Sequence, residues 1–418
     1  MITRYLSVIL DLVRFRANSC VAILVLAAVL AGCRGDELIV PSVVKKKEDP
    51  DSVAYANSDY RGFYLLCEGN MGSNKATLDF FDFKTGEYIK NIFAERNPHV
   101  ARELGDVGND IGIYGSKLYA VINCSHFVEV MDAQTATHIG VVSIPNCRYL
   151  CFHGGYAYIT SYAGPVQIDP NARPGYVAKV DTATLQVVDT CVVGYQPDEI
   201  VRVGNKLYVA NSGGYRGATM ENENSEQASQ RYDRTVSVID IATFKEIKRI
   251  DVAINLHRLE VDADSSFIYV SSRGDYYDIP SSTYIIDPRV DKCVGEVLSM
   301  DKQPLACTNI TRHGDSLYIY SVEWNWYTER NTTTYGIINT QTQKHVSRMF
   351  ITDGTEVNIA IPYGLAVHPE NGRIYVTDAK NYVTPGKIHC YSPDGKLLWS
   401  EITGDIPAHF CFLKKPGR

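Results

Sequence analysis

Two of the three tryptophans in this 418-residue chain, Trp324 and Trp326, stand one residue apart, with Tyr327 beside them. Indole faces cover flat, partly apolar surfaces, so a ligand is one use for such a pair. Packing of their own loop is the other. Tyr162, Tyr215, Tyr276 and Tyr277 lie in similar polar stretches, with Arg216 and Arg273 interleaved. Rings interleaved with guanidiniums suit a binding surface. The ten histidines are scattered. His257 and His409 could converge, or each could be a satisfied structural histidine. The sequence holds no H-E-x-x-H, no paired-cysteine metal pattern and no G-x-S-x-G elbow. These residues point to binding rather than catalysis. An enzyme of hydrolase or lactonase type, whose residues converge from distant parts of the chain, stays open as the alternative.

A repeating element must position these residues. It is visible in KLYAVIN (117–123), YAYITSY (156–162), KLYVANS (206–212), FIYVSSR (267–273), SLYIYSV (316–322) and RIYVTDA (373–379), with GFYLLCE (62–68) first in order. Its tyrosines fall at 64, 119, 158, 208, 269, 318 and 375. Short turns such as Gly115-Ser116, Gly204-Asn205 and Gly314-Asp315 precede most copies and read as tight hairpins. A second alternating run follows, ending in an acid or amide, as in TVSVIDIAT (235–243), and then a further strand such as EIKRIDV (246–252). Four short strands per unit and seven units predict an all-β, seven-bladed β-propeller.

The two ends of the repeat predict how it closes. Each unit opens with a run like QPDEIVRV (196–203), but none precedes Gly62, and IPAHFCFL (406–413) ends the repeat with the same pattern. The C-terminal strand is therefore expected as the innermost strand of the first blade, which removes a free sheet edge. The links between second and third strands are long, while the turns between first and second strands are tight. Function is expected on the long-loop face. There the unit openings would add Asn109, Arg148, Asp198, His257, Asn309, Tyr363 and His409 around a central channel mouth.

The N-terminus carries addressing information. Arg4, Arg14 and Arg16 precede an unbroken apolar run of ten residues, 21–30, which is too short to span a bilayer. Residues 1–32 read as a signal peptide and 33–59, Cys33 followed by a polar stretch with a KKKED cluster, as a flexible tether. The propeller occupies 60–418. The chain carries a net charge of −7, which removal of the leader takes to −9 and which argues against nucleic-acid binding. Nine of the eleven cysteines lie beyond Cys33, mostly in strand-like runs, and read as buried thiols, with a disulfide framework as the other possibility.

Leu30-Ala31-Gly32-Cys33 resembles the bacterial lipobox, which implies cleavage before Cys33 and a diacylglycerol on its thiol. A plain secretory leader with an incidental cysteine is the alternative. Asp36 and Glu37 resemble the export signal of surface-facing outer-membrane lipoproteins, against which an ordinary hydrophilic linker is the plainer reading. LYVANS and IYVTDAKN resemble the YVTN-type, YncE-like propellers. A lipidated, acidic propeller with an aromatic rim and LLCEGNMGSNKATLDFFDF (65–83) as its first hairpin is similar to the BtuG-type cobalamin-binding surface lipoproteins. That resemblance implies an outer-membrane protein facing the exterior. It would bind vitamin B12 or a related corrinoid as ligand rather than cofactor, and pass it to a BtuB-like TonB-dependent transporter. A protein-interaction propeller for another surface ligand remains a further possibility.

Overall fold

The computed structural model describes residues 42–49, 51–100, 103–167, 169, 171–214, 232–276, 278–325 and 330–417. The leader, Cys33, Tyr215, Arg216, Tyr277, Trp326 and Tyr327 lie outside them. The architecture is the expected one: seven antiparallel sheets of four strands, arranged as blades in a ring. Blades 2 to 7 occupy 108–143, 147–192, 197–251, 256–297, 309–347 and 362–405. Blade 1 joins Tyr60–Cys67, Thr77–Asp82 and Glu87–Lys90 to the last strand, Pro407–Lys414. That strand is the innermost of its blade. It pairs Phe410 with Leu65 and Phe412 with Phe63, and Glu68 N donates to Ile406 O at 2.8 Å just beyond.

The repeat tyrosine explains how blades join. It sits in the second strand of its blade, and Tyr64, Tyr119, Tyr158, Tyr208, Tyr269 and Tyr375 are all buried. Several reach the turn between third and fourth strands of the next blade. The Tyr64 hydroxyl donates to Ala133 O at 2.9 Å, that of Tyr208 to Asp291 Oδ1 at 2.5 Å, and that of Tyr269 to Thr340 O at 3.4 Å. The acid or amide ending the third strands of blades 1 to 6 holds the same turn. Asp132 Oδ1 accepts from the backbone N–H of Gln134 and Thr135, and Asp181 Oδ1 from those of Ala183 and Thr184. Gly115, Gly204 and Gly314 take left-handed φ values of 55–60° in the two-residue turns between first and second strands, where a side chain is disfavoured. Apolar packing lies between blades: Leu66, Leu78, Ile111 and Leu118 between the first two, Phe63, Phe81, Tyr375 and Trp399 between the last and first. The channel at the centre is left to polar side chains.

Two expectations need correction. Part of the 33–59 tether is built into the fold. Val43–Lys46 pairs with Glu87–Lys90 as a fifth strand on the outer edge of blade 1, and Ser52–Asn57 is a short helix capped by Asp51. Lys45 and Lys47 both bond Glu401 of blade 7, at 3.0 and 2.7 Å, and Arg373 bonds Glu48 at 2.8 Å. Edge pairing uses backbone groups, which composition does not report. The stretch around Trp324, expected as loop, is strand: Ser316–Asn325 and Arg330–Asn339 form a hairpin in which Trp324 faces Asn331. All nine cysteines from Cys67 to Cys411 are free thiols, five of them buried.

Candidate ligand-binding site

The first residues of the inner strands come together at the long-loop end of the channel. They floor a cavity of about 730 Å³, walled by the links after the second strands of blades 1, 2 and 3. Asn109, Arg148, His257, Asn309, Tyr363 and His409 all line it. Each holds a similar height in its blade, so six strands that are far apart in sequence deliver one polar ring.

Asp198 lies directly behind this ring, fully buried, as the hub of one half of the site. Its Oδ1 accepts from the Tyr162 hydroxyl and lies 3.5 Å from Arg148 Nε. Its Oδ2 faces His257 Nδ1 at 3.0 Å and Arg273 Nη1 at 3.4 Å. The Arg148 guanidinium lies over the Tyr162 ring at 4.7 Å. Burial opposes the carboxylate's charge, but the His257 bond and the charges of Arg148 and Arg273 prevail and hold its pKa well below the ordinary value. Burial and the Arg273 charge in turn push the His257 pKa down to about 3, against the pull of Asp198. A neutral imidazole beside an ionised carboxylate donates its proton through Nδ1. Nε2 is then the lone-pair nitrogen.

Glu68 is the second hub. It accepts from the Tyr363 hydroxyl at 2.9 Å, and its other oxygen lies 3.1 Å from His409 Nε2. Burial and the Glu68 charge keep the Tyr363 phenol protonated. Deeper in the channel, carboxylates satisfy the free N–H groups of neighbouring inner strands. Asp110 Oδ2 accepts from Leu150 N at 2.9 Å and Glu199 Oε2 from Leu259 N at 2.7 Å. Arg258 Nε stands 3.2 Å from the same Glu199 oxygen. Burial pushes the Glu199 pKa up to about 7 despite that neighbour.

Eight of the cavity-lining residues are asparagine or glutamine. Four of them brace the walls: Asn109 donates to Arg148 O, Asn123 to Asn146 Oδ1, Asn146 to Pro165 O and Asn309 to Tyr363 O. Asn70, Gln167 and Asn171 make no side-chain hydrogen bond among the described residues and are available to a ligand.

The predicted rim residues are distributed differently. Arg273 lines the cavity. Tyr162 also lines it, but as a buried residue committed to Asp198 rather than an open ring. Tyr276 and Trp324 are 56% and 46% exposed and stand outside the cavity lining. Glu68, Asp110, Glu199 and Arg258 were missed by the sequence reading. Their only signal is register: Asp110, Glu199 and Arg258 each follow a predicted mouth residue by one position. Among the described residues no three His, Cys, Asp or Glu side chains are grouped to hold a metal ion, and no helix is long and apolar enough to cross a membrane.

Residues 61–396 match the family described as "Domain of unknown function (DUF5074)". Solved structures of similar fold include the hydrazine synthase of Kuenenia stuttgartiensis, at 17% identity and a TM-score of 0.52 over 69% of this chain and 77% of that one. A quinonprotein alcohol dehydrogenase-like protein of Bacteroides thetaiotaomicron VPI-5482 matches at 14% identity and a TM-score of 0.50, over 85% of this chain and 79% of that one. At such identities the likeness is one of fold. No curated protein matches the chain.

Proposed function

The chain belongs to the DUF5074 family, and we propose that it is a lipid-anchored binding protein of the outer-membrane surface that captures cobalamin or a related corrinoid and passes it to a TonB-dependent transporter. The observation that carries the ligand class is the amide-rich cup over the channel. A corrinoid is a broad disc with a fringe of carboxamides. Carboxamides pair with one another as donor and acceptor at once. Asn70, Gln167 and Asn171 in the wall offer such pairing, and a cavity of about 730 Å³ lies within the range of small-molecule sites. Anchor, surface exposure and transporter rest on the resemblance of the leader and the first hairpin to the surface lipoproteins. Binding rather than catalysis is favoured because the oxygens of Asp198 and Glu68 are already engaged by protein donors.

One observation favours a second reading. The Asp198–His257 pair sets a neutral imidazole at the cup wall, in the protonation state a general base needs to activate water. A hydrolase of lactone or ester substrates would use it.

Calorimetry with cyanocobalamin on the leader-free protein tests the first reading, with Asn70→Ala/Asn171→Ala as the cup variant and melting temperature as the folding control. Sub-micromolar binding is expected. Loss of both carboxamides should weaken it tenfold or more, from about 1 kcal/mol per hydrogen bond and about 1.4 kcal/mol per tenfold. Equal affinity would mean that these amides do not meet the ligand. No binding to either protein overturns the corrinoid reading, and hydrolysis of an activated lactone or ester lost in His257→Ala would establish the second.

A further inference from the structure

A second cavity, of about 570 Å³, lies against blade 6, between the link that enters this blade and the link that leaves it. It is separate from the cup in every lining residue. Its wall is apolar in part: Leu305, Ile319 and Ile359 contribute. Tyr335 also lines it. It is 8% exposed, yet its hydroxyl has no hydrogen-bond partner among the described residues. A buried hydroxyl without a partner is costly, so such a group in a cavity wall points to a missing occupant.

The charges in the wall do not cancel. Arg348 is spent on Asp301, Nη2 to Oδ1 at 2.6 Å. Burial holds the His345 pKa below its ordinary value, so that ring is neutral. Its Nδ1 accepts from Met300 N at 3.3 Å. Glu323 and Glu356 remain, each without a side-chain partner among the described residues, and Glu356 Oε2 is buried. Two uncompensated carboxylates beside an apolar wall suit a cation that carries a hydrocarbon chain. A bare metal ion fits less well, since the described residues bring no three ligating side chains together.

We propose that this cavity is a second ligand site, for an alkylammonium group whose charge is met by Glu323 and Glu356, with the Tyr335 hydroxyl as a further hydrogen-bond partner and Leu305, Ile319 and Ile359 against the chain. The site is independent of the cup, so its test does not depend on the corrinoid.

The experiment is calorimetry of the leader-free protein with hexylammonium chloride and with 1-hexanol. The ammonium should bind at least tenfold more tightly than the alcohol. Glu356→Gln should weaken the ammonium tenfold or more and leave the alcohol unchanged, with Glu323→Gln as the parallel variant. Tyr335→Phe should weaken the ammonium severalfold while leaving the ligand-free melting temperature equal or higher, because it removes a hydroxyl that has no partner. Equal affinity for the two probes, no binding of the ammonium at millimolar concentration, or full affinity in both carboxamide variants would each overturn the proposal.

Discussion

His257 of blade 5 gives its Nδ1 proton to Oδ2 of Asp198 in blade 4, at 3.0 Å, beneath the floor of the cup. The pair ties two neighbouring inner strands and makes stability depend on pH. In the folded protein His257 titrates at about 3, below the ordinary histidine value near 6.5. The unfolded chain therefore binds more protons between those two values, and stability falls as pH drops through that window. Asp198, held well below its ordinary value, acts in the same direction at still lower pH. The melting temperature should fall from pH 7 to pH 4. In His257→Gln that slope should be shallower, so the difference between the two proteins narrows toward acid pH. Parallel melting curves for the two proteins across pH 4–7 would contradict this assignment.

Tyr208 and Tyr119 occupy the same position in the fourth and second repeats but should respond differently to loss of the hydroxyl. Tyr208 donates to Asp291, whereas the buried Tyr119 hydroxyl has no partner among the described residues. Tyr208→Phe should cost about 1.5–3 kcal/mol, the range for hydrogen bonds to charged groups. Tyr119→Phe should be near neutral or stabilising. Urea unfolding of both variants checks the contrast, and equal losses would contradict it.

The ring depends on its last strand. Removing residues from Ile406 onward strips the inner strand from blade 1, exposing the Phe63 and Leu65 backbone and the apolar layer toward blade 7. The truncated protein should aggregate or lose cooperative unfolding, readable by light scattering and denaturant titration. A soluble, cooperatively folding truncation would show that blade 1 holds without closure.

The Lys45 and Lys47 contacts with Glu401 secure the added edge strand. Lys45 is half exposed, so the energy at stake is small, about 1 kcal/mol or less. Local opening is the more sensitive measure. Glu401→Ala should speed tryptic cleavage within 45–47 severalfold at an almost unchanged melting temperature. Unaltered cleavage would mean that backbone pairing alone holds the strand.

The fold was legible because each blade repeats one packing solution. A tyrosine in every second strand, a left-handed glycine in the tight turn and an acid at the end of the third strand have local causes and leave local marks. Closure was legible because the pattern lacks its opening run at one end and has it at the other. The site was legible only in outline. Alignment of the repeats placed Asn109, Arg148, His257, Asn309, Tyr363 and His409 at one height, and all six line the cup. Their engagements were not legible, since Tyr162 with Asp198 and His409 with Glu68 pair across 36 and 341 positions of sequence. The Val43–Lys46 strand was missed because its lysines read as solvated charge while its backbone made the contact. Trp324 was expected in a loop because its neighbours are polar. Those polar residues are paired across a hairpin that projects from the blade, where neither face need be apolar.

Completion of blade 1 by residues 407–414 has a consequence for synthesis. A ribosome delivers Tyr60–Cys67 hundreds of residues before its inner neighbour. Blades 2 to 7 can each form as they emerge, from strands close together in sequence. The first-made strands must wait with one edge unpaired until residues 407–414 have been made. Exposed strand edges invite other chains. The earliest part of the propeller is thus the last to mature, and a holding factor during synthesis would have its longest task there.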